Sequence, residues 1–345
     1  MSDTIVRHDT QTAAATHIAM LEHLRATLLS TLAPLVEGAT RIALVDFPSH
    51  SNVGDSAIWL GALRALRLLG MPTPVYISDD HTYDRATLAR KIGDGTIFFT
   101  GGGSFGDLWE RPMQLRERVV ADFPRHRIVQ LPESVHFESA DALARTRAVF
   151  DAHEHVTILV RDRASLEFVG REFRTPVQLS PDLAFALGAL TRPAAASRDI
   201  LWLKRSDKED SFPGHHPADA VDWIAEPRTP LIVMTDRLCK DAVQRSWLRP
   251  VALRLLPLAF STLARQRLAR GLTLLSQGQV LVTDRLHGHI LALQLGIPHV
   301  VLDNSYGKLH NFISAWTHAS PLVQIARTPD EAAERARTML EALHA

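Results

Sequence analysis

The sequence predicts an α/β protein of two Rossmann-like domains around a cleft, and three observations carry that prediction. From residue 41 onward, short apolar runs alternate with longer stretches of helical periodicity, the pattern of βαβ units feeding a parallel sheet. The runs are continuously apolar, as strands covered on both faces must be. The chain has 345 residues, 46% of them apolar, which exceeds one ordinary core and supplies two.

Residues 1–38 read as an N-terminal segment dominated by one amphipathic helix, with Ile18, Leu21, Leu24, Leu28, Leu32 and Leu35 at helical spacing. Its polar face is not basic, which favours docking on its own domain over a membrane surface. Residues 39–190 form the first Rossmann-like domain. Its strands are "RIALVD" (41–46), "VYIS" (75–78), "TIFFT" (96–100), "RIVQL" (127–131) and "VTILV" (156–160), with helices such as "SAIWLGALRALRLLG" between them. The linker falls in "GALTRPAAASR" (188–198), which is short, Pro-containing and poor in large apolar residues. Residues 191–327 form the second domain, with strands "DILWLK" (199–204), "PLIVMT" (230–235), "QVLVT" (279–283) and "PHVVLD" (298–303). Residues 328–345 close the chain as a helix, with Thr328 as N-cap, Pro329 at the first helical position and Glu331 completing a capping box.

Charge balances at 38 basic against 38 acidic residues, so no global field gathers nucleic acid or an anionic membrane, and any anion site must be local. The single cysteine, Cys239, allows no internal disulfide or zinc cluster and fits a reducing compartment. It reads as a packing residue, not a nucleophile. No basic segment followed by an apolar stretch opens the chain, and no run approaches the roughly 18 apolar residues that span a bilayer. The expectation is a cytoplasmic protein.

Ligands of open parallel sheets bind at the carboxyl ends of the strands, and the ionisable chemistry of this chain lies there. "DFPSHSNVGDSAIW" (46–59) carries Asp46, Asn52, Gly54 and Asp55 between a strand and a helix start. Asn52 and Gly54 there could shape a polar-ligand site, or Asp55 or Ser56 could simply cap the helix. In "FFTGGGSFGDLW" (98–109), Gly102, Gly103 and Ser104 lie in a glycine-rich stretch read as a strand-to-helix turn whose amides form an anion nest. It has neither the Lys-Ser/Thr of a P-loop nor the GxGxxG order of a dinucleotide site. Arg161 ends another strand, where a guanidinium fork can grip a carboxylate or phosphate; Asp182 lies near the domain exit as a cap, a hinge contact or a site residue. The densest stretch is "TDRLHGHILALQLGIPHVVLDNSYGKLHNF" (283–312), which delivers Asp284, Arg285, His287, Tyr306 and Lys308 to neighbouring strand ends. Two anionic groups and a proton carrier can be served there together. "TDRL" also occurs at 235–238, which makes Arg237 a supporting candidate or a chance echo.

"NVGDSAIW", "TGGGSFGDLW", "VRDRAS" and above all "DRLHGHILALQLGIP…DNSYGKLHNF" resemble the polysaccharide pyruvyl transferase family, in order and spacing, over roughly residues 41–318. The resemblance implies a fold like the two-domain glycosyltransferase B type. It implies transfer of a pyruvyl group from phosphoenolpyruvate to a sugar or lipid-linked oligosaccharide in exopolysaccharide biosynthesis, giving a ketal and free phosphate. It places donor binding on Arg161, Arg285 and His287, with Lys308 as an addition, the acceptor on the first domain and phosphoenolpyruvate on the second. His287 would donate a proton to the donor's methylene or to its leaving phosphate. Asp46, Asp55 and Asp284 are candidate bases for the acceptor hydroxyl. No cofactor or metal is expected, and contact would be peripheral with membrane-bound assembly proteins at the inner face of the plasma membrane. The alternative is a nucleotide-sugar-dependent glycosyltransferase of the same architecture, which needs a carboxylate for a ribose diol; Glu209 and Glu226 lie in unsuggestive loops.

Overall fold

The apolar runs pair as parallel ladders in two separate sheets. A computed structural model of the chain describes residues 2–207, 212–245, 247–303 and 308–345, with residues 2–14, Val243 and Lys308 described by backbone only. The chain divides into two compact units that do not follow sequence order: residues 27–186 with 226–267, and residues 1–26 with 187–225 and 268–345.

After helix α1 (Ser2–Val36), the larger unit is built on strands β1 (Ile42–Val45), β2 (Tyr76–Ser78), β3 (Thr96–Phe99), β4 (Gly102–Gly106), β5 (Ile128–His136), β6 (Val156–Val160) and β7 (Val177–Leu179). Helices α2 (Val53–Leu68), α3 (Arg85–Ile92), α4 (Glu110–Asp122), α5 (Ala140–Asp151) and α6 (Arg163–Glu172) connect them. The strand order is β2-β1-β3-β5-β6-β7, with β4 also paired to β5. Each strand alternates faces. Leu44, Phe98 and Val129 pack with Ile58 and Trp59 of α2, while Ala43, Val45, Ile97 and Ile128 pack with Leu88, Val119, Phe150 and Val169 of α3 to α6.

The glycine stretch is a strand, not a strand-to-helix turn. The nine-residue β5 pairs first with β3 and then, past a register shift between Gln130 and Glu133, with β4. Pro132 sits at that shift and can donate no ladder hydrogen bond. Gly101 lies against it, where a Cβ would fall 2.3 Å from the Pro132 carbonyl oxygen. Such an irregularity re-aims neighbouring side chains, and here it turns Glu133 inward.

The smaller unit carries β8 (Arg198–Leu203), β9 (Gly278–Thr283), β10 (His299–Leu302) and β11 (Val323–Ala326) in the order β11-β10-β9-β8, all parallel. Between β8 and β9 the chain runs through α7 (Pro230–Gln244) and α8 (Arg249–Ser276), most of which belong to the larger unit. Helices α9 (Leu286–Leu295), α10 (Lys308–Trp316) and α11 (Pro329–His344) follow. Ala332, Ala336 and Met339 of α11 cover one face of this sheet, and the Thr328 hydroxyl caps α11 at Glu331 N. The first helix is shared between the units at Ala26, so it is not a separate segment; His17 pins its early part to the Leu293 carbonyl at 2.8 Å and to Ser320 Oγ at 3.1 Å.

"PLIVMT" is the one predicted strand that is helical: it opens α7, with Thr229 as N-cap and Pro230 in the first turn. Its buried positions, Ile232, Thr235 and Ala242, fall at helical spacing. The echo "TDRL" therefore lies on a helix, and Arg237 is exposed on it. Among the described residues, no helix is long and apolar enough to cross a membrane.

The β4–β5 pairing is backbone against backbone. Gly106 has φ +144°, and a Cβ there would fall 1.6 Å from the His136 carbonyl oxygen. Gly106→Ala is expected to lower unfolding free energy by about 3 kcal/mol, from overpacking and backbone strain together. Urea denaturation measures it; a loss of only a few tenths would contradict so tight an approach.

Candidate functional site

In the smaller unit, the parallel register opposes Leu203 to Thr283, so the next residues, Lys204 and Asp284, leave the sheet side by side. Lys204 Nζ lies 2.9 Å from Asp284 Oδ2, and the Arg205 amide donates to Oδ1 at 2.8 Å. Burial pushes the Asp284 carboxyl pKa up and the Lys204 ammonium opposes that shift. Asp284 thus joins two strand ends, with each of its oxygens held.

Arg285 stands at the N-cap of α9 with its backbone extended, and its amide donates to Thr283 Oγ1 at 3.1 Å. Its guanidinium is almost wholly buried. Nη2 donates to Asp222 Oδ2 at 2.6 Å and reaches Asp207 Oδ2 at 3.4 Å, while the carbon centre lies 5.9 Å from the Trp223 ring centroid. Asp207 also takes both ends of the Arg205 fork, and Asp222 accepts from the Ser206 amide and hydroxyl. The buried Nε of Arg285 has no acceptor among the described residues. Such a donor costs about 1–3 kcal/mol until something accepts from it.

His287 occupies the first turn of α9 and is buried. Gly288 lets that turn approach the sheet, since a Cβ would meet Thr283 Oγ1 at 2.5 Å. His289 belongs to a different network: its Nδ1 is 2.8 Å from His299 Nε2, its Nε2 is 2.9 Å from Thr317 Oγ1, and His299 Nδ1 is 2.8 Å from the Ile297 carbonyl. Only the carbonyl is obliged to accept. His299 therefore donates from Nδ1 and accepts at Nε2 from His289, whose own Nε2 accepts from Thr317. Burial lowers both imidazole pKa values, that of His299 to about 4, so both rings are neutral and structural. Tyr306 and the side chain of Lys308 lie outside the described residues, as does Glu209.

The larger unit gathers its charges where the strand order reverses between β1 and β3, the switch point at which open α/β sheets bind ligands. Asp46 follows β1 with φ +74°, the one non-glycine among the described residues with positive φ, a strained conformation that clusters at functional sites. Its Oδ2 lies 2.9 Å from Arg116 Nη2. Arg116, fully buried on α4, also reaches Ser104 Oγ at 3.0 Å and Glu133 Oε2 at 3.4 Å. Glu133 Oε1 accepts from the Ser104 amide at 2.5 Å. Burial raises the Glu133 pKa to about 7 and also raises that of Asp46, with Arg116 opposing both. Gly102 lies between carboxylates, since a Cβ there would be 3.6 Å from Asp55 Oδ1 and 3.7 Å from Glu133 Oε1. Gly103, beside it in β4, is partly buried.

Other predicted positions have local roles. Asn52, not Asp55 or Ser56, is the N-cap of α2 and accepts from the Gly54 amide at 3.0 Å. Arg161 is buried, with Nη1 2.8 Å from Asp182 Oδ2 and Nε 3.0 Å from Ser134 Oγ. Glu226 is bound by the Arg267 fork through two contacts of 3.0 Å, which engages the carboxylate that a ribose diol would need. Asp55 has a weaker partner, His50 Nε2 at 3.5 Å, and keeps part of its surface exposed. A cavity of about 390 Å³ opens near the ends of β1 and β2, lined by Ser49, Asp79, His81, Asp236, Lys240 and Phe260 among others. Phe47 stacks on Phe260 at 4.0 Å in its wall. Cys239 also lines it, and burial pushes its thiol pKa up.

Sequence reasoning missed Arg116, Glu133, Lys204, Asp207 and Asp222. One signal for Arg116 was available: it interrupts the buried stripe of Met113, Val119 and Val120, and a charge on an inward helix face needs a buried partner.

Glu133 gives the larger unit a pH signature. Its pKa rises on folding from 4.5 to about 7, so its stabilising contribution is complete below about pH 4.5 and is lost as pH climbs through 7. Glu133→Gln is expected to flatten the pH dependence of stability between pH 4.5 and 7 by on the order of 1–3 kcal/mol. Urea unfolding across that range checks this, and parallel profiles for variant and wild type would refute it.

The family model of the polysaccharide pyruvyl transferases matches residues 52–306. Pyruvyl transferase 1 of Schizosaccharomyces pombe is 30% identical over 315 residues, covering 88% of this chain and 76% of that protein. The putative pyruvyl transferase EpsO of Bacillus subtilis is 30% identical over 303 residues, covering 86% and 92%. An uncharacterized Klebsiella pneumoniae protein of solved structure shares the fold with a TM-score of 0.57 at 15% identity, over 88% of this chain and 99% of that one. A match over most of the chain, with relatives at this identity along nearly its whole length, makes the chain a member of the polysaccharide pyruvyl transferase family.

Proposed function

We propose that this chain transfers a pyruvyl group from phosphoenolpyruvate to a sugar, free or lipid-linked, of an exopolysaccharide precursor in the cytoplasm, forming a ketal and releasing phosphate. That the two parallel-sheet units act as halves of a glycosyltransferase B-like enzyme is part of the same proposal. The observation that supports it most is Arg285: a buried guanidinium with an unsatisfied Nε, one helical turn's start from His287. Phosphoenolpyruvate carries a carboxylate and a phosphate, and either can accept from that nitrogen.

The proton balance assigns the remaining roles. His287 donates a proton to the methylene carbon, and C2 becomes an oxocarbenium-like centre. An acceptor hydroxyl adds to C2 as a carboxylate takes its proton. Of the three carboxylates read as bases, Asp46 is held by Arg116 and Asp284 by Lys204, whereas Asp55 has only the longer His50 contact at 3.5 Å among the described ion pairs, which favours Asp55 for that proton. Phosphate then leaves, and a second hydroxyl closes the ketal while its proton goes to the departing phosphate. Two hydroxyl protons are lost and two are taken up, one by carbon and one by phosphate. The balance closes without a cofactor.

Incubation with phosphoenolpyruvate and a panel of synthetic or lipid-linked glycosides should release phosphate in step with ketal formation. Binding of a nucleotide sugar with no response to phosphoenolpyruvate would overturn the proposal. Arg285→Lys keeps the charge and loses the fork, and is expected to lower kcat/KM for phosphoenolpyruvate by roughly 10–100-fold, the value of a hydrogen bond to a charged group. His287→Gln should lower kcat by about 100-fold or more with KM little changed. Full activity in either variant removes that residue from the donor site.

A further inference from the structure

Helix α8 is apolar on two opposite faces over its first half. Leu256, Phe260, Leu263 and Ala264 are buried in the core of the larger unit. On the other side Val251, Leu255 and Leu258 recur at i, i+4 and i+7 and are 53%, 45% and 67% exposed, with Trp247 just before the helix 74% exposed. One face settles a helix onto its own core, and a contiguous second apolar row marks an interaction surface.

The charge around that row identifies the partner. Residues 242–276 contain six arginines and no acidic residue; Arg245, Arg249 and Arg267 are paired with Asp241, Asp84 and Glu226. Arg254 and Arg265 share the helical face of the apolar row, are exposed, and have no ion-pair partner among the described residues. Lys91 and Arg90 of α3 extend the positive region, since Arg254 and Arg90 are close enough to lower the Lys91 pKa beside the larger effect of burial. An apolar ridge with Trp and Leu, flanked by arginines, matches the interface of a bilayer with negatively charged headgroups, where the ridge enters the acyl boundary and the cations meet phosphates. With no helix that can span a bilayer among the described residues, such contact is peripheral.

We propose that the outer face of α8, from Trp247 to Arg265, docks the protein on an anionic lipid bilayer. The inner face of the same helix supplies Phe260 and Leu263 to the cavity at the ends of β1 and β2, so docking would bring that cavity to a lipid-linked sugar. The docking does not depend on the pyruvyl-transfer reading, because lipid binding is measured without substrate.

The test is co-sedimentation of the full chain with vesicles of equal parts phosphatidylglycerol and phosphatidylcholine, against phosphatidylcholine alone. The wild type is expected on the anionic vesicles only, with binding at least tenfold weaker in 0.5 M salt. Leu255→Asp/Leu258→Asp should reduce binding at least tenfold. Arg254→Glu/Arg265→Glu, which leaves the apolar row intact, should do the same, with thermal melts of both variants near that of the wild type. Failure of the wild type to bind anionic vesicles, or equal binding by the well-folded variants, would overturn the proposal. So would a wild-type dimer that Leu258→Asp splits in sedimentation equilibrium, since the face would then belong to a second copy.

Discussion

A guanidinium without access to water must be neutralised where it stands, and Arg116 imposes that requirement on the larger unit. Asp46 follows β1, Ser104 lies in β4, Glu133 comes from β5 and the Thr100 carbonyl ends β3; all four reach Arg116 within 3.4 Å. The positive φ of Asp46 and the register shift at Pro132 are local departures from regular strand geometry. Both lie where a carboxylate meets this cation. Removing the cation would leave two buried carboxylates facing each other, which costs far more than the pair contributes when intact.

The two units treat buried charge differently. Around Arg116 stand two carboxylates, with Arg161 as a further cation acting on Glu133, and burial raises the pKa of both carboxylates. Around Arg285, the cations Lys204, Arg205 and Arg285 face the carboxylates Asp207, Asp222 and Asp284. That balance is even, yet one donor atom of Arg285 is left over. Asp222 is held besides by the Ser206 amide and hydroxyl.

What the sequence makes legible follows from the range of the interactions. Strands such as 96–100 and 279–283 are readable because burial on both faces selects unbroken apolar runs. β4 is not, because "GGSFG" is in a strand only through its partner β5. "PLIVMT" misleads because six apolar residues satisfy either period, although Thr229-Pro230 is the same helix-start signal that Thr328-Pro329 gives correctly. In the site, Arg285 and His287 can be read from one heptad. Their partners cannot: Asp222 is 63 residues from Arg285, and Lys204 is 80 from Asp284.

The same heptad holds two imidazoles, and the sequence already marks His289 as the structural one, since two positions along a helix start it points away from the side of His287. His289 faces a closed chain in which each nitrogen has one permitted role, from the Ile297 carbonyl through His299 to Thr317. Burial penalises a charge on either ring and drives both pKa values down. Two positions earlier, His287 stands in the first turn of the helix, whose N-cap is Arg285. A helical turn of about 100° per residue sends the two side chains to different sides. Gly288 between them holds the turn against Thr283 and Leu203, so one close approach of helix to sheet sends the two rings to their separate surroundings.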